Sequence, residues 1–148
     1  MFRESELKIF IEGTLLIFET LTSQPASVGS PYLVTDGKPG TYEYAGIIDI
    51  SGTRKGMVYF TAPKGMLTVL LMRMQESDTG EANMRDLVGE VANTISGNAR
   101  RDLGKGFVIS VPNVVAHSPE GVVTPHPRSF VIPINWRTHA AKLVVCLQ

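Results

Sequence analysis

The longest helical pattern in the chain, Met84 to Leu103, lies between two sets of strand-forming runs, and this order removes most fold classes at once. At about 100° per residue, Val88, Val91, Ala92, Ile95, Ala99 and Leu103 share one side of that helix, which is its core face. Upstream, Tyr44 to Ile50 and Gly56 to Ala62 are rich in β-branched and aromatic residues, and Ser51-Gly52-Thr53-Arg54-Lys55 between them supplies a reversal. They read as a β-hairpin. Downstream, Phe107 to Val115, Ser129 to Trp136 and Lys142 to Leu147 have strand composition. Strands in hairpin-like runs with helices grouped between them predict an α+β layer structure and not a doubly wound parallel sheet.

The remaining segments fit the same plan. From about Ser5 to Leu21, Leu7, Phe10, Ile11, Phe18 and Leu21 recur at helical spacing, giving an amphipathic first helix. Val28 to Val34 is expected as a short strand and Asp36 to Gly40 as a loop. Pro63 suits the first turn of a short helix through Leu67, Leu70, Leu71 and Met74. Asp78 followed by Glu81 resembles a capping box for the long helix, and Gly104 suits its end. Pro112 and Pro133 fall inside strand patterns, so those strands should be edges, bulged or interrupted. There is no repeat, low-complexity tract or linker, and one domain over residues 1–148 is expected.

Composition narrows the partners. Fourteen basic and fourteen acidic side chains cancel, with no Lys/Arg run longer than two, so the electrostatic footprint of nucleic-acid binding is missing. The apolar segments Ile9 to Phe18 and Met66 to Met74 are too short for a membrane span. The N-terminal residues Arg3, Glu4, Glu6 and Lys8 do not form a signal peptide, so the chain is expected mature as written. Cys146 is the sole cysteine, which excludes an internal disulfide and fits a reducing, cytoplasmic setting.

Opposite the core face of the long helix, Asp86, Glu90, Asn93, Gly97 and Arg101 fall in one narrow stripe, successive members three or four residues apart. A polar stripe opposite an apolar one is by itself the ordinary solvated face of an amphipathic helix. Two of its members are poor choices for that purpose alone: Asn93 is a weak helix former, and an interior Gly97 costs about 1 kcal/mol relative to Ala. Glu90 can accept a hydrogen bond or pair with a lysine, while the Asn93 amide both donates and accepts, as orienting a water molecule requires. Gly97 leaves room for a docking backbone. Such a face could assist attack of water on a phosphoryl group, where alignment and charge stabilisation carry most of the catalysis.

The run Asp86-Leu87-Val88-Gly89-Glu90-Val91-Ala92-Asn93-Thr94-Ile95-Ser96-Gly97-Asn98-Ala99 resembles the signature helix of the CheC/CheX/FliY chemotaxis phosphatases, which has an acidic or Ser residue, then Glu, then Asn at fixed spacing. More weakly, Ile11-Glu12-Gly13 through Phe18-Glu19-Thr20-Leu21 is similar to the first helix of CheX, and the hairpin at Gly46-Ile47-Ile48 and Gly56-Met57-Val58 fits. The resemblance implies a CheX-like α+β fold, long helices packed on a mainly antiparallel sheet. It also implies hydrolysis of the aspartyl phosphate of a CheY-like response regulator, with no covalent intermediate on this chain. Glu90 would contact a lysine of the regulator and Asn93 would direct the water; their stripe neighbours Asp86, Gly97 and Arg101 are expected partner contacts from the helical geometry. No cofactor of its own is implied, since magnesium belongs to the phosphorylated partner. A homodimer through sheet edges is implied as well.

Relatives with two sites repeat the motif on the first helix. Here Glu4, Glu6, Glu12 and Glu19 are followed three positions later by Leu7, Ile9, Leu15 and Thr22, never by Asn, so one site per chain is expected. The family pattern also includes a later proline, for which Pro112 comes early and Pro119 late. The alternatives are a non-enzymatic adaptor that docks this helix on a receiver or flagellar-switch protein, and a purely structural dimer. Retention of both Glu90 and Asn93 favours the enzyme.

Other motifs have simpler accounts. His117, His126 and His139 lack a compact ligand spacing, so no metal site is expected. Gly52-Thr53-Arg54-Lys55-Gly56 lacks the Gly-Lys-Ser/Thr ending of a phosphate loop, and Gly104-Lys105-Gly106 terminates a helix. Arg100 and Arg101 could dock an acidic partner, although cations in a last helical turn are favourable without one. Met66, Met72 and Met74 have core spacing, and Trp136 is either an interface anchor or a core residue.

Overall fold

The computed structural model describes residues 3–123 and 126–147. The first helix, α1, spans Glu4–Thr22 and buries Phe10, Ile17 and Phe18 together with the small or short residues Gly13, Thr14 and Thr22. The two buried threonine hydroxyls donate to the carbonyls of Phe10 and Phe18 at 2.8 and 2.7 Å, so neither is left unpaired. Ser23 adopts the left-handed conformation at φ 58° and ends the helix.

The segment predicted as one strand at Val28 to Val34 forms two, β1 (Ser27–Val28) and β2 (Tyr32–Val34). The hairpin follows as predicted, β3 (Tyr44–Gly52) and β4 (Gly56–Ala62) pairing from Tyr44 opposite Ala62 to Ile50 opposite Gly56. Helix α2 (Lys64–Arg73) starts one residue later than its sequence suggests, with Pro63 extended at the N-cap position. Helix α3 (Glu81–Leu103) is the long one. Then come β5 (Phe107–Ile109), β6 (Asn113–Ala116), a turn of 3₁₀-helix at Pro119–Gly121, and the hairpin β7 (Ser129–Trp136) and β8 (His139–Leu147).

All strand pairs are antiparallel. The four long strands lie in the order β7, β8, β4, β3, while β1 and β2 both flank β7 and β5 and β6 both flank β3. Each edge is thus two short strands in line, and proline chemistry accounts for both breaks. Ser110, Val111 and Pro112 separate β5 from β6. On β7, the Pro133 carbonyl accepts from the Gly29 amide at 2.9 Å, so its nitrogen faces the same edge, at the gap between β1 and β2. The donor that proline lacks falls where no strand asks for it.

The three helices cover one face of the sheet, where Phe10, Phe18, Leu67, Leu70, Val88 and Ile95 meet Ile48, Val58, Phe60, Ile132, Leu143 and Val145 in one buried cluster. Trp136 is 1% exposed in this cluster, its ring 6.4 Å from that of Phe18, which settles it as a core residue. Met66 is buried and Met74 partly so, but Met72 is exposed. The opposite face holds a second cluster, Ile47, Met57, Tyr59, Val131, Val144 and Cys146. The loop before β3 crosses that face, tied down by the Tyr59 hydroxyl donating to the Gly40 carbonyl at 2.8 Å. Burial on both faces is why β4 and β8 read as continuous apolar runs instead of alternating ones.

Candidate active site

Two glycines set where α3 lies. A Cβ added at Gly46 of β3 would stand 2.4 Å from the Val88 carbonyl oxygen, so the helix backbone rests directly on the strand at this point. A Cβ on Gly89 would meet Val114 at 2.9 Å and Pro112 at 3.4 Å. The glycine before Glu90 is therefore a packing requirement against the β5–β6 edge, and Pro112 stands beside the turn of helix that carries Glu90. On the other flank, α1 crosses α3 where Gly13 faces Ile95.

With the helix so held, Met84, Leu87, Val88, Val91, Ala92, Ile95 and Ala99 are buried. Asp86, Glu90 and Arg101 are exposed, and Asn93 and Gly97 are half-buried between them. All five stripe residues predicted from the sequence lie on the open side of one helix. The Thr94 hydroxyl donates to Glu90 Oε1 at 3.2 Å, and Arg101 Nη2 donates to Asn98 Oδ1 at 2.8 Å. The Asn93 amide has no hydrogen-bond partner among the described residues, so its donors and acceptor are available to something outside the chain. A Cβ on Gly97 would meet nothing within 4 Å, so no internal packing requires a glycine there.

The start of α3 differs from the expected capping box. Asp78 Oδ1 accepts from the Gly80 amide at 2.8 Å, Gly80 is the N-cap, and Glu81 is the first helical residue, too early to reach back as a capping partner. Its carboxylate bonds instead to the His117 ring at the end of β6 and lies 3.4 Å from Arg85 Nε and from the Tyr44 hydroxyl. The His117 bond, aided by Arg85, holds the Glu81 carboxyl below its ordinary range. Burial, with Glu81 alongside, pushes the Tyr44 phenol up. At the other end, Gly104 stops the helix at φ 97°, its amide donating to the Arg100 carbonyl at 3.0 Å.

The stripe is divided by charge. Asp86 and Glu90 occupy its N-terminal half and Arg101 its last turn, with Arg100 beside it. Sequence reasoning missed Thr94, whose spacing of four from Glu90 on a helix was the available signal, and Pro112 as a neighbour of Gly89, for which there was no local signal. Among the described residues, no three His, Cys, Asp or Glu side chains converge as a metal cage would. No described helix is long and apolar enough to cross a membrane.

Residues 44–135, from the start of β3 to the last but one residue of β7, match the family model described as chemotaxis phosphatase CheX. The chain belongs to the CheX family. Comparison with curated proteins finds no match. Solved structures share the fold over nearly the full length. A chemotaxis protein from Desulfovibrio vulgaris Hildenborough is 24% identical with a TM-score of 0.81, covering 97% of both chains. The CheX of Desulfovibrio desulfuricans is 22% identical with a TM-score of 0.79, covering 97% of this chain and 99% of its own. The CheX of Borrelia burgdorferi, crystallised as a complex with CheY, BeF3 and Mg2+, is 16% identical with a TM-score of 0.77, covering 99% of both chains. The α+β architecture expected from the motif, helices on an antiparallel sheet, is thus that of CheX and CheC-like proteins.

Proposed function

We propose that this chain hydrolyses the aspartyl phosphate of a CheY-like response regulator, with Asn93 and Glu90 as the residues that act. The observation that carries the reading is the unpartnered Asn93 amide, half-buried on α3 between an acidic turn and the open space at Gly97. An amide in that position holds a water by accepting one of its hydrogens, leaving a lone pair aimed at phosphorus. Attack forms the new phosphorus–oxygen bond and breaks the bond to the regulator's aspartate, which leaves as a free carboxylate. Inorganic phosphate carries away the oxygen of the water, and the proton is lost to solvent.

Glu90, held by Thr94, pairs with a lysine of the regulator and so sets the height at which the phosphoryl group stands over Asn93. Magnesium is the regulator's own and supplies charge stabilisation there. The CheY complex of the Borrelia relative and the family's description support this choice of substrate.

The test is phosphate release from a phosphorylated CheY-like protein. Glu90→Ala should raise KM by about tenfold, the size expected when one partner of a charged contact is lost. Saturable binding by the wild-type chain with no acceleration of hydrolysis would show an adaptor instead.

A further inference from the structure

Beyond the stripe lies a groove of about 410 Å3 between the C-terminal half of α3 and β5, lined by Gly97, Arg100, Arg101, Gly104, Lys105 and Ile109. Its charge is one-sided. Arg100 and Lys105 line it together with Arg101, whose guanidinium donates to Asn98 on the flank nearer α1, and none of the three has an ion-pair partner among the described residues. The acids Glu12 and Asp102 lie on the other flank of the helix, in the depression next to α1, which Arg101 also borders, whereas Arg100 and Lys105 line the groove alone. The helix dipole accounts for Arg100 and Arg101. It also favours Lys105 just past the helix end, but a third like charge beside the same space carries a cost in repulsion that an anion seated there would remove. The groove's floor at Gly97 is open, and its strand wall is apolar Ile109. Val111, 83% exposed, stands on the same edge between Ile109 and the Pro112 that touches Gly89.

We propose that this groove seats an acidic segment of the phosphorylated regulator and so fixes the direction in which the regulator lies on α3. The proposal rests on the function proposed above and deepens it. Acidic Asp86 and Glu90 at one end of the stripe and Arg100, Arg101 and Lys105 at the other make a surface with two opposite ends. Only a partner presenting a cation to the first and anions to the second meets both ends with opposite charge; the reversed pose places like charges together at each end. The apolar rim at Ile109 and Val111 adds a dry contact beside the charged one.

The experiment is hydrolysis of a phosphorylated CheY-like protein by the intact chain and by Arg100→Glu/Lys105→Glu. Its companion is direct titration of the regulator, in the phosphorylated state, against both proteins. Thermal melting confirms that the variant folds, and Arg100→Lys/Lys105→Arg controls for loss of charge. Charge reversal should raise KM and Kd about tenfold and flatten their dependence on salt, while kcat changes by less than about twofold and the charge-conserving variant behaves as wild type. An unchanged KM and Kd in a chain that still hydrolyses would overturn the groove and leave the phosphatase intact. Binding weakened by charge reversal in a chain that never hydrolyses would uphold the groove and sink the phosphatase. A change only in the sedimentation of the chain by itself would assign the groove to a second copy and contradict the proposal.

Discussion

Glu90 and Asn93 divide the work at the scale of single residues. Glu90 has an internal partner in Thr94, and Asn93 has none among the described residues. The Thr94 hydroxyl holds one carboxylate rotamer, so Thr94→Val should loosen Glu90 without removing its charge. We expect a rise in KM of about threefold, the worth of an exposed hydrogen bond near 0.6 kcal/mol, with kcat nearly unchanged in steady-state phosphate release. Both Glu90 and Asn93 were legible from the chain because a helical repeat places them on one side whatever the tertiary structure. Thr94 was legible in spacing but not in role, since threonine four residues on from a glutamate on a helix is common without purpose. Gly97 is clearer in the structure than in the sequence. Nothing in the fold fills the space above it, so its cost in helix stability of about 1 kcal/mol relative to Ala is not repaid by internal packing.

At the scale of elements, the position of α3 depends on contacts that sequence patterns do not show. Gly46 and Gly89 are far apart in the chain and neither lies in a turn, so no local rule marks them as the point where helix meets sheet. The β-hairpin around Gly46 was legible; the reason for its glycine was not. Gly46→Ala drives a methyl into the Val88 carbonyl and must displace α3, and about 2–3 kcal/mol of destabilisation is expected in urea titrations. Activity should fall with it even where folding survives, because the same shift moves Glu90 and Asn93 together. The edge strands show the converse. Pro112 correctly marked a break in its own strand, but Pro133 did not: β7 runs unbroken through it with partners on both sides, and the break falls instead in the flanking edge. Only the pairing reveals that each edge is assembled from two short strands in line.

At the scale of the whole molecule, a largely covered ion pair ties the first helix to the central hairpin. Glu6 near the start of α1 bonds to Arg54 in the β3–β4 turn, both side chains largely covered. Burial alone would raise the Glu6 carboxyl, but the Arg3 amide and the Arg54 guanidinium outweigh it and hold it below its ordinary value. A depressed carboxyl contributes stability that is complete above its unfolded value, about 4.3, and is lost as the pH falls through the lower, folded value. Arg54→Ala should therefore destabilise the protein by about 1–2 kcal/mol at pH 7, and the difference from wild type should shrink as the pH falls below about 4. Urea midpoints measured across that range check the sign. The covering of the second sheet face by the loop before β3 was not legible, since a Gly- and Pro-rich loop gives no sign of what it lies against.

The central claim is that an amide on α3 directs water to a phosphoryl group on another protein. The rate of phosphoryl loss from a phosphorylated CheY-like regulator, measured with the chain in saturating excess, isolates that step from binding. Asn93→Ala should lower this rate about 100-fold while the regulator still binds. Hydrolysis by Asn93→Ala as fast as by the wild type would contradict the mechanism.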